Sequence, residues 1–200
     1  MVLNVFRKYF DPYLAKIAVL LNRLGVRPWY LSILGLILSI ASAVAVIILG
    51  ESGLLLALLL FLSSGLMDAL DGQVARLQSS VSAWGAFCDS LIDRLVEIIF
   101  VFGLLFSNML SRNVSYLYIT TALLVSYCRS RGESLGVSLK GVGLMERAER
   151  ILLISLSIVI YIIFHIELNI SIMVITVLNG VTILWRIIEV YRGLSREKPF

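Results

Sequence analysis

Charged residues fall at intervals along an otherwise apolar chain, and the intervals predict helices. Residues 28–50, from Pro28 to Gly50, contain no charge. A membrane-spanning helix takes about 20 apolar residues, so this stretch reads as a first span. Glu51, Ser52 and Gly53 then form a tight turn. A second apolar run starts at Leu54 and meets Asp68, Asp71 and Arg76 near its end. The polar link Gln78-Ser79-Ser80 leads into a third segment, about Ser82 to Ser107, with Asp89, Asp93, Arg94 and Glu97 in its first half. After a turn at Ser111-Arg112-Asn113, a fourth segment runs from about Ser115 to Leu135 and reaches Arg129, Arg131 and Glu133. The glycine-punctuated loop Gly136 to Gly143 precedes a fifth segment, about Glu146 to His165, and a sixth, about Leu168 to Arg192. The expectation is an all-α integral membrane protein with six transmembrane helices in residues 28–200.

Residues 1–27 read differently. Arg7, Lys8, Lys16, Arg23 and Arg27 interrupt them, which argues against a cleavable signal peptide. Asp11-Pro12 is expected to be an N-cap followed by proline at the first helical position. Beyond it Tyr13, Leu14, Ile17, Leu20 and Leu21 recur at helical spacing, with Lys16 and Arg23 elsewhere. That pattern describes an amphipathic helix lying on the membrane surface.

Composition agrees. The chain of 200 residues is 60% hydrophobic and 15% charged, against about 25% charged in a soluble domain. A water-soluble globular domain is excluded. Two cysteines and one histidine exclude a disulfide framework and a Cys/His zinc cluster, and no nucleic-acid partner is expected. The net charge of +4 matters less than its placement. With the N-terminus inside and six alternating spans, Arg76, Arg129, Arg131, Lys140, Arg147, Arg150, Arg192, Arg196 and Lys198 fall on the inner side, with Arg186 nearby. The outer side receives Arg112. Both termini are therefore expected in the cytoplasm. Trp29, Trp84 and Trp185 fall near inner span ends and read as interfacial belt residues. Gly35, Ser39 and Ser42 read as helix-packing residues.

Four aspartates lie where lipid should exclude them: Asp68, Asp71, Asp89 and Asp93. Four at helix centres cost roughly 10 kcal/mol, so such groups face a bundle interior or wet cavity and have partners. Asp68 and Asp71 are three apart and share a helix face; Asp89 and Asp93 are four apart and share one on the next helix. The short link makes these helices antiparallel, so both pairs reach a similar depth below the cytoplasmic surface. Converging carboxylates repel unless protonated or bridged by cations. All-oxygen ligands favour Mg²⁺ or Mn²⁺ over zinc, and two such ions suit phosphoryl chemistry. Gly72, Ala75 and Gly85 leave room for a ligand, and Arg76 is placed to meet a phosphate.

Written out, the stretch is Asp68-x2-Asp71-Gly72-x2-Ala75-Arg76-x8-Gly85-x3-Asp89-x3-Asp93. It resembles the signature of the CDP-alcohol phosphatidyltransferase family, with every fixed position present. The entry to the first span, Val26-Arg27-Pro28 followed by Ser32 and Gly35, is similar to the family's opening. The resemblance implies that a hydroxyl of an acceptor alcohol attacks a CDP-linked lipid and releases CMP. It implies Asp68, Asp71 and Asp89 as metal ligands, with Asp93 sharing, and Asp93 as general base. Gly72, Ala75, Arg76 and Gly85, with Asp68, match positions that shape the nucleotide pocket. A homodimer is also implied.

A second cationic cluster follows on the inner side: Arg129, Arg131, Lys140, Arg147 and Arg150. Several cations at one mouth suggest a second anion, such as an acceptor that already carries phosphate. The strings Tyr127-x-Arg129-x-Arg131-x-Glu133 and Gly143-x2-Glu146-Arg147-x-Glu149-Arg150 resemble the family's inositol-phosphate-using branch, which implies inositol 1-phosphate as acceptor. Glycerol 3-phosphate and serine are the alternatives. Taken singly, these arginines read equally well as positive-inside anchors. The rival from another class is a cation or proton transporter built on the same carboxylates. Against it, no charged path leads outward, and no internal repeat is evident.

Overall fold

The structure, a computed structural model, describes residues 3–80 and 82–196, and side-chain surroundings for 11–80 and 82–195. Of the cations assigned to the inner side, Lys198 and the side chains of Arg7, Lys8 and Arg196 lie outside the described residues. The described residues are helical, with no strand: α1 (Leu3–Arg23), α2 (Pro28–Leu49), α3 (Leu54–Leu77), α4 (Ala83–Phe106), α5 (Arg112–Ser134), α6 (Arg147–Phe164) and α7 (Leu168–Arg196). A short 3-10 turn, Gly50–Gly53, joins α2 to α3. Two stretches, Pro28–Leu77 and Leu168–Ser195, are long and apolar enough to cross a membrane. Along α2 the side chains of Ile33, Ile37, Ile40, Val44, Ile47 and Ile48 are exposed, as an apolar face toward lipid requires. Trp29, Trp84 and Trp185 are exposed as well.

Local signals set most boundaries. Pro28 opens α2 in the first turn, where its missing N–H costs nothing. Ser82 caps α4 by accepting from the Gly85 N–H at 3.0 Å. Ser111 caps α5 by accepting from the Val114 N–H at 3.4 Å, so this helix starts at Arg112 rather than near Ser115. His165 ends α6 in the left-handed conformation (φ 52°), its N–H donating to the Tyr161 carbonyl. The helix start expected at Pro12 is corrected: α1 begins at Leu3 and carries Pro12 inside. A proline removes one backbone hydrogen bond, and α1 continues through it to Arg23.

The chain divides into two compact units between Met109 and Leu110. In the first, α2 packs along both α3 and α4, and α1 packs on α3. Ser42 Oγ donates to the Ala57 carbonyl of α3 at 2.5 Å, and Ser39 Oγ to the Val96 carbonyl of α4 at 2.9 Å. Gly35 lies against α3 so closely that a Cβ there would sit 3.2 Å from the Ser64 carbonyl oxygen. These are the packing roles the sequence predicts for Gly35, Ser39 and Ser42. Buried Phe61 and Phe100 stack with centroids 4.0 Å apart, joining α3 to α4. On α1, Ala18 is buried against Leu31, Leu70 and Val74, with Leu14 and Leu21 beside it. Tyr13, Ile17 and Leu20 stay exposed. The helix thus has one apolar edge docked on the protein and another left open.

In the second unit, α7 packs against α5 and α6. Asn179 Nδ2 donates to Thr121 Oγ1 at 3.3 Å, tying α7 to α5. Ser111 N–H donates to Asn169 Oδ1 at 2.9 Å.

Candidate functional site

Carboxylates of Asp68, Asp71 and Asp89 converge, one oxygen from each lying within 4.8 Å of the others. Asp68 and Asp71 project from the last three turns of α3, and Asp89 from the second turn of α4. Asp71 is buried; Asp68 and Asp89 are half-buried. Ser32 of α2 reaches the cluster: its hydroxyl donates to Asp71 Oδ2 at 2.6 Å. Three negative groups so close, one of them buried, are compatible only with a cation or protons between them. An all-oxygen donor set of this kind suits a hard divalent ion. Asp93, one turn beyond Asp89 and half-buried, is not part of the triplet.

The small residues of the motif leave open space. A Cβ on Gly72 would come no nearer than 4.0 Å to Arg76 Nη1. Arg76 is exposed at the end of α3, and Ala75 is half-buried. Gly85 has a local task that the motif alone does not show. Its N–H fills the Ser82 cap, and a Cβ there would come 3.1 Å from Ser82 Oγ. Gln78 closes the far end of α3. Its amide donates to Asn22 Oδ1 at 3.0 Å and to the Val26 carbonyl at 2.9 Å, fixing the junction of α1 and α2. Arg94 donates to the Ser90 carbonyl, and Glu97 is buried.

The basic set belongs to the second unit. Arg129 Nε lies 3.0 Å from Glu133 Oε1, and its Nη1 lies 3.5 Å from Glu146 Oε1. Arg131 and Lys140 are exposed, and Arg147 is half-buried at the start of α6. Arg150 is buried and donates to the Met145 carbonyl at 3.4 Å. Arg186, read from the sequence only as an inner charge, is buried too. It donates through Nε to the Val142 carbonyl at 3.0 Å and through Nη1 to the Val125 carbonyl at 2.5 Å. Nothing in the local sequence marks it, because its partners lie 44 and 61 residues away. Cys88 and Cys128 are free thiols, half-buried.

Comparison with known proteins places this geometry in a family. The sequence model described as CDP-alcohol phosphatidyltransferase matches residues 26–185. The chain is 30% identical to the archaetidylinositol phosphate synthase of Pyrococcus horikoshii, over 97% of this chain and 99% of that one. It is 32% identical to the archaetidylinositol phosphate synthase of Methanothermobacter thermautotrophicus, over 97% and 96%. Among solved structures it is similar in fold to Mycobacterium tuberculosis phosphatidylinositol phosphate synthase with CDP-DAG bound. The TM-score is 0.76 at 24% identity, covering 89% of this chain and 93% of that one. The same enzyme has been solved in complex with manganese and citrate.

Proposed function

The chain belongs to the CDP-alcohol phosphatidyltransferase family, and from that premise we propose that it transfers the phosphatidyl-type group of CDP-diacylglycerol or CDP-archaeol to inositol 1-phosphate. The convergence of Asp68, Asp71 and Asp89 carries this reading. A transporter needs no such motif, and membership of a transferase family removes that rival.

The reaction is a phosphoryl substitution. An acceptor hydroxyl oxygen attacks the lipid-bearing phosphorus, the bond to the bridging oxygen breaks, and CMP leaves with that oxygen. Bound divalent ions, Mg²⁺ or Mn²⁺ and two in number on this reading, offset the diphosphate charge and stabilise the leaving CMP. Asp68, Asp71 and Asp89 hold them, with Asp93 sharing. Asp93 takes the proton from the acceptor hydroxyl, a role that suits a carboxylate one turn from the triplet. Gly72, Ala75 and Gly85 admit the nucleotide backbone, and Arg76 meets its phosphate. Arg129, Arg131, Lys140, Arg147 and Arg150 serve the acceptor phosphate, Arg129 while shared with Glu133 and Glu146. The relatives named archaetidylinositol phosphate synthase support the acceptor.

The charge pattern supports six spans with α1 on the inner surface and both termini and the active site facing the cytoplasm. A plasma-membrane setting and assembly as a homodimer belong to the same reading, the homodimer resting on the family resemblance alone. An acceptor panel tests the proposal. With Mg²⁺ or Mn²⁺ and each CDP-lipid, CMP release is measured with inositol 1-phosphate, inositol, serine and glycerol 3-phosphate. Inositol 1-phosphate is expected to give the highest kcat/KM. A preference for serine or free inositol overturns the acceptor-phosphate reading, and a preference for glycerol 3-phosphate replaces the acceptor within it.

A further inference from the structure

We propose that Thr182 is a positioning residue for the acceptor: from α7 it fixes the segment between Lys140 and Arg147, and so the placement of the cations on either side. The proposal rests on the acceptor reading above and names a residue which that reading does not contain.

Thr182 Oγ1 accepts from two consecutive backbone N–H groups, Leu144 at 3.2 Å and Met145 at 3.1 Å, and donates to the Leu178 carbonyl at 2.9 Å. The residue is fully buried. The two N–H groups stand just ahead of α6, outside any regular helix, so this one oxygen settles their hydrogen bonding. The backbone approaches α7 closely at the same place. Gly143 has φ +102°, and a Cβ on it would sit 2.3 Å from Thr182 Cγ2. Only glycine meets both conditions.

Neighbouring contacts make the segment a bolted one rather than a hanging loop. One turn along α7, Arg186 grips the Val142 carbonyl. Arg150, on α6, donates to the Met145 carbonyl. Glu146 Oε1 accepts from the Gly141 N–H at 3.0 Å. Thr182 is the only one of these groups that holds two residues at once through a single uncharged atom. Replacing it by valine keeps its shape and leaves both donors without that acceptor, the Met145 N–H in a buried place and the Leu144 N–H in a half-buried one. That costs enough to move the backbone until they find partners. Lys140 lies two residues before Val142, and Arg147 two residues after Met145. A shift of the segment therefore displaces the acceptor cations. The aspartate motif lies in another part of the chain.

The test uses the full chain in lipid nanodiscs. KM for inositol 1-phosphate and KM for the CDP-lipid are measured separately for the parent protein, Thr182→Val, Thr182→Ser and Arg147→Gln. Thr182→Val is expected to raise the acceptor KM by between about tenfold and a hundredfold, the scale of a misplaced binding group. The CDP-lipid KM stays unchanged, and Thr182→Ser restores the parent value. If Arg147→Gln raises the acceptor KM and Thr182→Val does not, the positioning role is wrong and the acceptor reading stands. If neither raises it, the acceptor reading fails and takes the proposal with it. If Thr182→Val raises both KM values together, its effect is general destabilisation and the proposal is overturned. Should Thr182→Val not accumulate as folded protein, Thr182→Cys takes its place under the same criteria, since sulfur is only a weak acceptor.

Discussion

Ser32 and Asp71 meet at 2.6 Å, hydroxyl to carboxylate, across 39 residues of chain. The same hydroxyl lies 3.4 Å from the Pro28 carbonyl, a much poorer partner, so its proton goes to Asp71. The bond occupies Oδ2 and fixes the carboxylate's rotation, which sets where the other oxygen points. A ligand held in this way loses less freedom when it takes up a cation.

Ser32→Ala is therefore expected to weaken Mn²⁺ binding by about tenfold, the scale of a hydrogen bond to a charged group. Ser32→Thr, which keeps the hydroxyl, is expected to stay near the parent. Electron paramagnetic resonance of free Mn²⁺ in titrations of the two variants checks this without reference to turnover. Equal affinity in Ser32→Ala and parent removes the orienting role.

Asp89→Asn removes one charge of the triplet while keeping its shape. CMP release is expected to fall by about a thousandfold, the scale of losing a group that stabilises developing charge. Far-ultraviolet circular dichroism should show unchanged helix content. Activity recovered at high Mn²⁺ would locate the defect in affinity; a fixed low kcat would locate it in the chemical step.

Gly103 of α4 faces Ala43 of α2 so closely that a Cβ would sit 2.7 Å from Ala43 Cα. The obstacle is backbone and cannot rotate away. Gly103→Val is expected to destabilise by about 1–3 kcal/mol or more, seen as a lower melting temperature in detergent. Gly65, with nothing near its added Cβ, provides the control: Gly65→Ala should leave the melting temperature unchanged.

The proposed six-span arrangement makes a labelling prediction. In a chain whose cysteines are replaced by alanine, a new cysteine at Glu51 should react with an impermeant maleimide added to intact cells. One at Ser79 should react only after the membrane is opened. The reverse pattern inverts the topology and places the carboxylates outside.

Much of this was legible along the chain because it is local. Charges interrupt an apolar sequence at span ends, and caps such as Ser82 act within three residues. From α2 onward the helices begin and end within a few residues of the expected ones, while α1 starts nine residues before the expected Pro12. The motif's spacing anticipated the meeting of Asp68, Asp71 and Asp89, since a helical repeat puts each pair on one face. The same reasoning puts Asp93 at a similar depth, one turn beyond Asp89 on the same helix. Pro12 does not mark the start of α1, because proline's preference for the first helical turn is statistical and the helix already runs from Leu3. The contacts of Arg186, Thr182 and Ser32 are not legible along the chain, although Ser32 stands in the family's opening. Their partners are set by which helices pack together, and no local pattern encodes that.

α2, which carries none of the four aspartates, governs where they stand. Ser42 fixes α3 to α2, Ser39 fixes α4 to α2, and Ser32 reaches the cluster from the same helix. The signature from Asp68 to Asp93 is thus a list of ligands whose ruler lies elsewhere in the chain. Grafting those residues alone onto another helical scaffold would transplant the donors and leave behind their spacing. A transferable unit has to begin at Pro28.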